Sequence, residues 1–120
     1  MSANERVQKF DADCQKVLEV PIKENKVISE IKRLKQWLFK HQDESLQNGS
    51  KASLFATVRA YHKVATAPSA SIDLRSTVFA LVDDLLKLPE GKLVTSKSKE
   101  AALKLLSSLQ STSSGEGNKV

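Results

Sequence analysis

The stretch from Lys16 to Trp37, KVLEVPIKENKVISEIKRLKQW, places one proline between two segments that have the apolar spacing of amphipathic helices. Pro21 fits the first turn of a helix but not its interior, because it lacks a backbone N–H and its ring clashes with the preceding turn. The stretch therefore predicts two helices joined by a short connector. Val20 and Ile22 flank the proline, so this connector is apolar where a turn is usually polar.

Apolar residues recur at steps of three and four in five segments, which predicts five helices. The first two cover about 4–19 and 23–40. The residues predicted to face the core from these two are Val7, Phe10, Cys14, Val17, Leu18, Val27, Ile28, Ile31, Leu34 and Leu38, with Trp37 at the margin.

The third helix is expected to begin at Ser50, after the turn signal Asn48-Gly49. Ser71 is expected to cap the fourth helix, which reaches Leu88, and a fifth begins near 96–98. The predicted core residues of these three are Leu54, Val58, Tyr61, Ala65, Leu74, Val78, Leu81, Val82, Leu85, Ala102, Leu103, Leu106 and Leu109, with Phe55 and His62 beside the stripe of the third helix.

Length and composition favour one helical domain. The chain has 120 residues, enough for a single small domain, and only four glycines. We therefore expect an all-α fold, a compact bundle of four to five helices over residues 1–110. The last segment, STSSGEGNKV at 111–120, is polar and is predicted to be a disordered tail.

The charge and the cysteine content narrow the class of protein. The net charge is +5, and much of the excess lies between Lys23 and His41. A single cysteine, Cys14, excludes an internal disulfide and favours a reducing compartment. The chain has no apolar run of membrane-spanning length and no apolar signal core at its N-terminus, so a soluble intracellular protein without membrane contact is expected.

No residue pattern in the chain indicates catalysis or a metal. The two histidines, His41 and His62, are far apart in sequence, and no CxxC or HExxH spacing occurs. Cys14 lies on an apolar stripe, where a buried and inert thiol is expected. Asp83 and Asp84 are adjacent, so on a helix they point about 100° apart and do not share a site. We predict no enzyme, no cofactor and no metal site.

Three segments resemble a known family. LEVPIK at 18–23, followed by a helix, resembles the connector of the TFIIS N-terminal domain family. ATVRAYHK at 56–63 and IDLRSTVFALVDDLLKL at 72–88 resemble two later helices of that family, and the helix order is similar to the integrase-binding domain of LEDGF, a related module. The resemblance covers about Glu5 to Lys87.

This resemblance implies a compact right-handed helical bundle that serves as a nuclear docking scaffold in transcription elongation or chromatin regulation. Domains of this kind bind short motifs of disordered partners, typically an acidic segment with an aromatic anchor. An apolar notch and a basic rim in this chain would suit such a ligand.

The connector is the predicted partner-binding site of a monomeric domain. Either its apolar residues pack on the first turn of the second helix as a hydrophobic staple, or they offer an apolar notch to a peptide, and the two roles are compatible. If the helices pack antiparallel, the end of the third helix completes the site. The predicted contact residues are Val20, Pro21, Ile22, Lys23, Lys26, Tyr61, His62 and Lys63.

Two other functions are compatible with the sequence. The basic run around Lys32, Arg33 and Lys35 would give weak, salt-sensitive contact with nucleic acid. Alternatively, the apolar triplet Trp37-Leu38-Phe39 wraps past a single helix face and could hold copies of a structural subunit together.

Overall fold

The computed structural model contains five α-helices, close to where the apolar spacing predicts them. It describes the backbone of residues 2–118 and the side chains of residues 2–110. In that backbone there is no β-strand, only an isolated bridge between Glu90 and Val94. The predicted all-α fold is confirmed. The helices are α1 (Ala3–Val17), α2 (Glu24–Lys40), α3 (Asn48–Ala65), α4 (Ile72–Lys87) and α5 (Ser96–Asn118).

The disordered tail predicted over 111–120 falls on residues whose side chains lie outside this description, and residues 119–120 lie outside it entirely. The tail therefore stays a prediction.

The start of α3 differs from the prediction. Gln47 is the N-cap, and Asn48-Gly49 forms the first residues of the helix and not a turn. Ser50, predicted as the cap, lies inside the helix and is buried. The physical reason is a remote contact, because the Gln47 N–H donates to the Asn4 side-chain oxygen at 3.0 Å. That bond satisfies one of the free N–H groups near the helix start. The local sequence predicts that the Ser50 hydroxyl has this capping role.

Helices α1 and α3 run parallel. The Thr57 hydroxyl donates to the Asp11 carboxylate at 3.4 Å, and one turn further along both helices the Tyr61 and Cys14 side chains are hydrogen-bonded. Helix α2 runs antiparallel to α1, since the Phe10 ring near the middle of α1 meets the Trp37 ring near the end of α2, with 5.6 Å between centroids.

Helices α2 and α4 also run parallel. The Ser71 N–H at the start of α4 donates to the carboxylate of Glu24, the first residue of α2, at 3.1 Å. Further along the same two helices, the Lys35 ammonium pairs with the Asp84 carboxylate at 3.6 Å. The starts of α2 and α4 and the ends of α1 and α3 therefore lie at one end of the bundle, which we call the connector end.

A single apolar core joins all five helices. The predicted stripes of α1 to α4 supply most of it, which confirms their helical spacing. Trp37, predicted at the margin, is half-buried, and one predicted core residue is placed differently, since Leu103 is 57% exposed. The side chains buried most completely are Val7, Cys14, Val27, Ile31, Leu34, Leu54, Val58, Ala65, Leu74, Val78, Leu81, Val82, Leu85, Leu93 and Ala102.

A buried arginine closes the connector end. Arg75 in α4 is 8% exposed, and its Nε donates to the carbonyl oxygen of Ala65, the last residue of α3, at 3.3 Å. The last four carbonyl groups of a helix have no partner within the helix, and a cation there also suits the negative end of the helix dipole. Arg75 therefore fixes where α3 ends relative to the start of α4.

Candidate functional site: an apolar surface at the connector end

The α1–α2 connector leaves apolar side chains open to solvent. Val20 is 91% exposed, Ile22 is 41% exposed, and Pro21, which follows a cis peptide bond, is exposed as well. Since Lys23 is the N-cap of α2, Ile22 and the buried Val27 occupy the two positions of a hydrophobic staple. Ile22 can therefore act as a hydrophobic staple and also contact a peptide. The fold buries almost none of the apolar surface of Val20.

Tertiary packing adds a residue that the sequence prediction missed. The hydrogen bond from Ser71 to Glu24 holds the start of α4 beside the start of α2, and the next residue, Ile72, is 74% exposed. The available signal was that Ile72 falls outside the α4 core stripe although it is strongly apolar. We call the exposed set Val20, Pro21, Ile22 and Ile72 the connector surface.

Positive groups lie at the connector end, together with the carboxylates of Glu19, Glu24 and Asp73. Lys23 and Lys26 are both exposed at the start of α2. Helices α2 and α4 both begin at this end, so the positive ends of two helix dipoles lie side by side. The side chain of Ser71 accepts from the Leu74 N–H at the start of α4, but the N-cap of α2 has no side-chain cap. The start of α2 thus keeps unsatisfied N–H donors at the connector end.

Tyr61, in contrast, belongs to the core. It is 1% exposed, so it is not a contact residue of this surface, contrary to the prediction. Its hydroxyl is hydrogen-bonded to the Cys14 side chain, and burial raises the pKa of both groups, the thiol to about 11. The reason for the error is that Tyr61 lies on the stripe of α3 that packs on α1.

The two residues after Tyr61 have different environments. His62 is half-buried and its Nε2 lies 3.0 Å from the Leu105 carbonyl oxygen, so it links α3 to α5. Burial lowers the pKa of His62, which favours the neutral imidazole donating to that carbonyl. Lys63 is exposed in the last turn of α3, at the connector end. The structure therefore places Lys63, but not Tyr61, where a ligand of the connector surface could reach it.

The basic residues of α2 lie on more than one side of the helix. Lys26, Arg33 and Lys40 are seven residues apart, which places them about 10 Å from one another along one edge of the helix. Arg33 and Lys40 border α1, while Lys35 lies at the α4 edge, where it pairs with Asp84. The charge is thus divided between two sides of α2.

On the α1 side, these cations border a cleft of about 280 Å³ between α1 and α2. Aromatic rings form part of its wall. The Trp37 indole contacts the Phe10 ring edge-on, and its centroid lies 5.3 Å from that of the His41 imidazole. We call this the cationic cleft. Its lining residues are Arg6, Phe10, Arg33, Gln36, Trp37, Lys40 and His41.

The triplet Trp37-Leu38-Phe39 is not one surface. Trp37 faces the cationic cleft and Leu38 is 1% exposed in the core. Only Phe39, at 76% exposed, points to solvent, beside a hollow of about 260 Å³ that Leu88 also borders. Self-association through the whole triplet would therefore need Leu38 to leave the core.

Among the residues that the structure describes, no group of three or more His, Cys, Asp or Glu side chains is placed to hold a metal ion. None of the described helices is long and apolar enough to span a membrane.

Comparisons with protein-family models, with curated proteins and with solved structures give no match to this chain. The resemblance to the TFIIS N-terminal domain family therefore remains an interpretation of three short segments.

Proposed function

We propose that this helical bundle is a protein-interaction scaffold that binds a short acidic segment of a disordered partner at the connector surface. The observation that supports this most directly is Val20, which is 91% exposed in the α1–α2 connector, two residues before the exposed Ile22 and at the same end of the bundle as the exposed Ile72. Single exposed apolar residues are common on protein surfaces, but several at one end of the bundle, from the α1–α2 connector and the start of α4, offer a ligand an apolar surface to cover.

An aromatic or aliphatic anchor in the partner would cover this patch. Burying one such side chain contributes about 1.5–3 kcal/mol, which is a large share of the affinity of a weak peptide complex. The bundle supplies the patch on two helix starts that Glu24 and Arg75 hold in place. The contact is thus preorganised, and little entropy is lost in the scaffold when a peptide binds.

Charge complementarity selects an acidic partner. Lys23, Lys26 and Lys63 are exposed at the connector end, and two helix N-termini lie there. Carboxylates on either side of the anchor would meet these positive groups, which increases the association rate and orients the peptide. A role in transcription elongation or chromatin regulation in the nucleus, without catalysis, is the part of this proposal that rests on the TFIIS-type resemblance.

The test is an amide-shift map by NMR with three peptides of equal length. One peptide carries a phenylalanine among glutamates, the second replaces the phenylalanine with alanine, and the third replaces the glutamates with glutamines. We expect the first to shift amides at 18–26 and 71–73, and the other two to bind at least tenfold more weakly, since each loses one part of the contact.

The matched variants are Ile22→Asp and Leu103→Asp, because both replace an exposed apolar side chain with a charge. Ile22→Asp should abolish peptide binding and Leu103→Asp should preserve it, with unchanged far-ultraviolet circular dichroism in both. Equal binding by all three peptides, or an unaffected Ile22→Asp variant, would remove the proposal.

A further inference from the structure

The cationic cleft lies away from the connector surface. Trp37 is 13 residues after the start of α2, which corresponds to about 20 Å along the helix axis. We propose that this cleft is a second binding site, and that its ligand is single-stranded nucleic acid, with a phosphate held by Arg6 and Lys40 and a base lying against the Trp37–His41 pair.

The two unpaired cations support the proposed contact with a phosphate group. Arg33 already pairs with Glu30, but Arg6 and Lys40 have no carboxylate within 4.0 Å among the described side chains. The Arg6 guanidinium lies 5.8 Å from the centroid of the Phe10 ring, a cation–π contact that leaves the charge uncompensated. Two unpaired cations on opposite walls of one cleft suit a phosphate group, which accepts hydrogen bonds from both.

The aromatic rings in the wall of the cleft support the proposed contact with a nucleic-acid base. Trp37 and His41 are both partly exposed, and their rings lie tilted at 33° with 5.3 Å between centroids. Aromatic rings beside a basic groove are the usual platform for unpaired bases, because every base has a π-face that can stack. The sequence alone did not suggest stacking, since Phe10 and Trp37 are 27 positions apart and only the antiparallel pairing of α1 and α2 brings them together.

The lining favours a nucleotide over an acidic peptide. In the described part of the chain no aliphatic side chain borders this cleft, and Gln36 supplies an amide that can pair with a base edge. The volume of about 280 Å³ is at the lower end for ligand pockets, so one nucleotide unit is the largest group that it would enclose. The carboxylates of Glu30 and Glu44 pair with the lining residues Arg33 and His41.

The test uses Trp37, the single tryptophan of the chain, as a reporter within the site. The full chain is titrated at low salt with a short oligothymidylate, with its duplex, with polyglutamate of equal charge and with inorganic phosphate. We expect a saturable change of tryptophan fluorescence with the oligothymidylate, a weaker one with the duplex, and none with polyglutamate or phosphate at equal concentration.

The variant is Arg6→Gln/Lys40→Gln, and its matched control is Lys9→Gln/Lys104→Gln, which removes the same charge from exposed positions that do not line the cleft. Each phosphate contact contributes about 0.7 to the slope of log affinity against log salt for single strands, so the variant should lower that slope by about 1.4. The control, which keeps both contacts, should change the slope by less than half as much.

Three results would overturn the inference: no fluorescence change with oligothymidylate, the same saturable change with polyglutamate, or equal loss in the variant and the control. The first excludes a ligand at Trp37, the second makes the cleft an acidic-peptide groove, and the third makes the binding a non-specific charge effect. The inference is independent of the proposed function, since Ile22→Asp should leave the oligothymidylate response unchanged.

Discussion

If the connector surface binds an apolar anchor, truncation of its three branched residues should separate binding from stability. Val20, Ile22 and Ile72 differ in how much of each side chain the fold already covers, at 91%, 41% and 74% exposed. The exposed part is available to a ligand, and the covered part contributes to folding. Alanine at each position removes both parts together, so the variant with the largest loss of stability should have the smallest loss of binding.

The expected losses follow from about 0.8 kcal/mol for each buried carbon. Alanine removes two carbons from Val20 and three from each isoleucine, and a ligand can bury only the exposed fraction. The upper limits for lost binding free energy are then about 1.5 kcal/mol for Val20→Ala, about 1.8 for Ile72→Ala and about 1.0 for Ile22→Ala. These correspond to increases in Kd of about 12-fold, 20-fold and fivefold.

The expected losses in the free energy of unfolding are calculated from the fraction of each side chain that the fold covers. They amount to about 0.1 kcal/mol for Val20→Ala, about 0.6 for Ile72→Ala and about 1.4 for Ile22→Ala. Ile22→Ala should therefore be the least stable variant with the smallest binding defect. Val20→Ala should fold as well as the unchanged chain and still bind about 12-fold more weakly.

The assay pairs two measurements on each variant: fluorescence anisotropy of a labelled glutamate-rich peptide with one phenylalanine, and urea denaturation for the free energy of unfolding. Leu103→Ala is the control for binding, since Leu103 is exposed on α5 and outside the connector surface. If Val20→Ala and Ile72→Ala leave Kd within twofold while Ile22→Ala alone weakens binding, the exposed side chains do not contact the peptide and the reasoning is refuted.

Two further predictions concern the fold that supports the surface. Ser71→Ala should lower the free energy of unfolding by about 1 kcal/mol in urea denaturation, because the hydroxyl that accepts from the Leu74 N–H is lost. Ser71→Gly should lower it by only a few tenths of a kcal/mol. Equal losses in the two variants would mean that the cap contributes little. The Cys14 thiol has an ordinary pKa of 9.0 in the unfolded chain and about 11 when buried. The folded state then binds the proton more tightly, so stability should be fully present below pH 9 and should fall as pH rises towards 11. A thiol reagent should accordingly react with Cys14 only at the rate of unfolding, and fast reaction in the native state would contradict the burial. A Cys14→Ala variant should lose the part of this pH dependence that the thiol supplies.

The sequence was sufficient to predict the helices where one apolar stripe faces one core. The stripe of α4 is the clearest case, since Leu74, Val78, Leu81 and Leu85 are all fully buried as their spacing requires. It was insufficient at the start of α3, where Asn48-Gly49 and Ser50 look like a turn and a cap. The side chain of Asn4 decides that boundary, and it belongs to another helix.

For the candidate site the sequence indicated the connector but not its extent. The sequence shows that apolar residues flank Pro21, and in the structure Val20 and Ile22 are exposed. Ile72 could not be added, because only the Ser71–Glu24 hydrogen bond brings it near. Tyr61 was wrongly included in the site, although its place on the apolar stripe of α3 predicts the burial that the structure shows.

The sequence by itself determined the all-α fold, most of the core residues and an apolar break at Pro21, because these depend on spacing within one segment. The tertiary structure alone decided that α2 and α4 begin at the same end, and that Phe10 and Trp37 meet beside Arg6 and Lys40. Which helix ends and which faces become neighbours depends on how separate stripes pack into one core, and no local pattern in the chain records that arrangement.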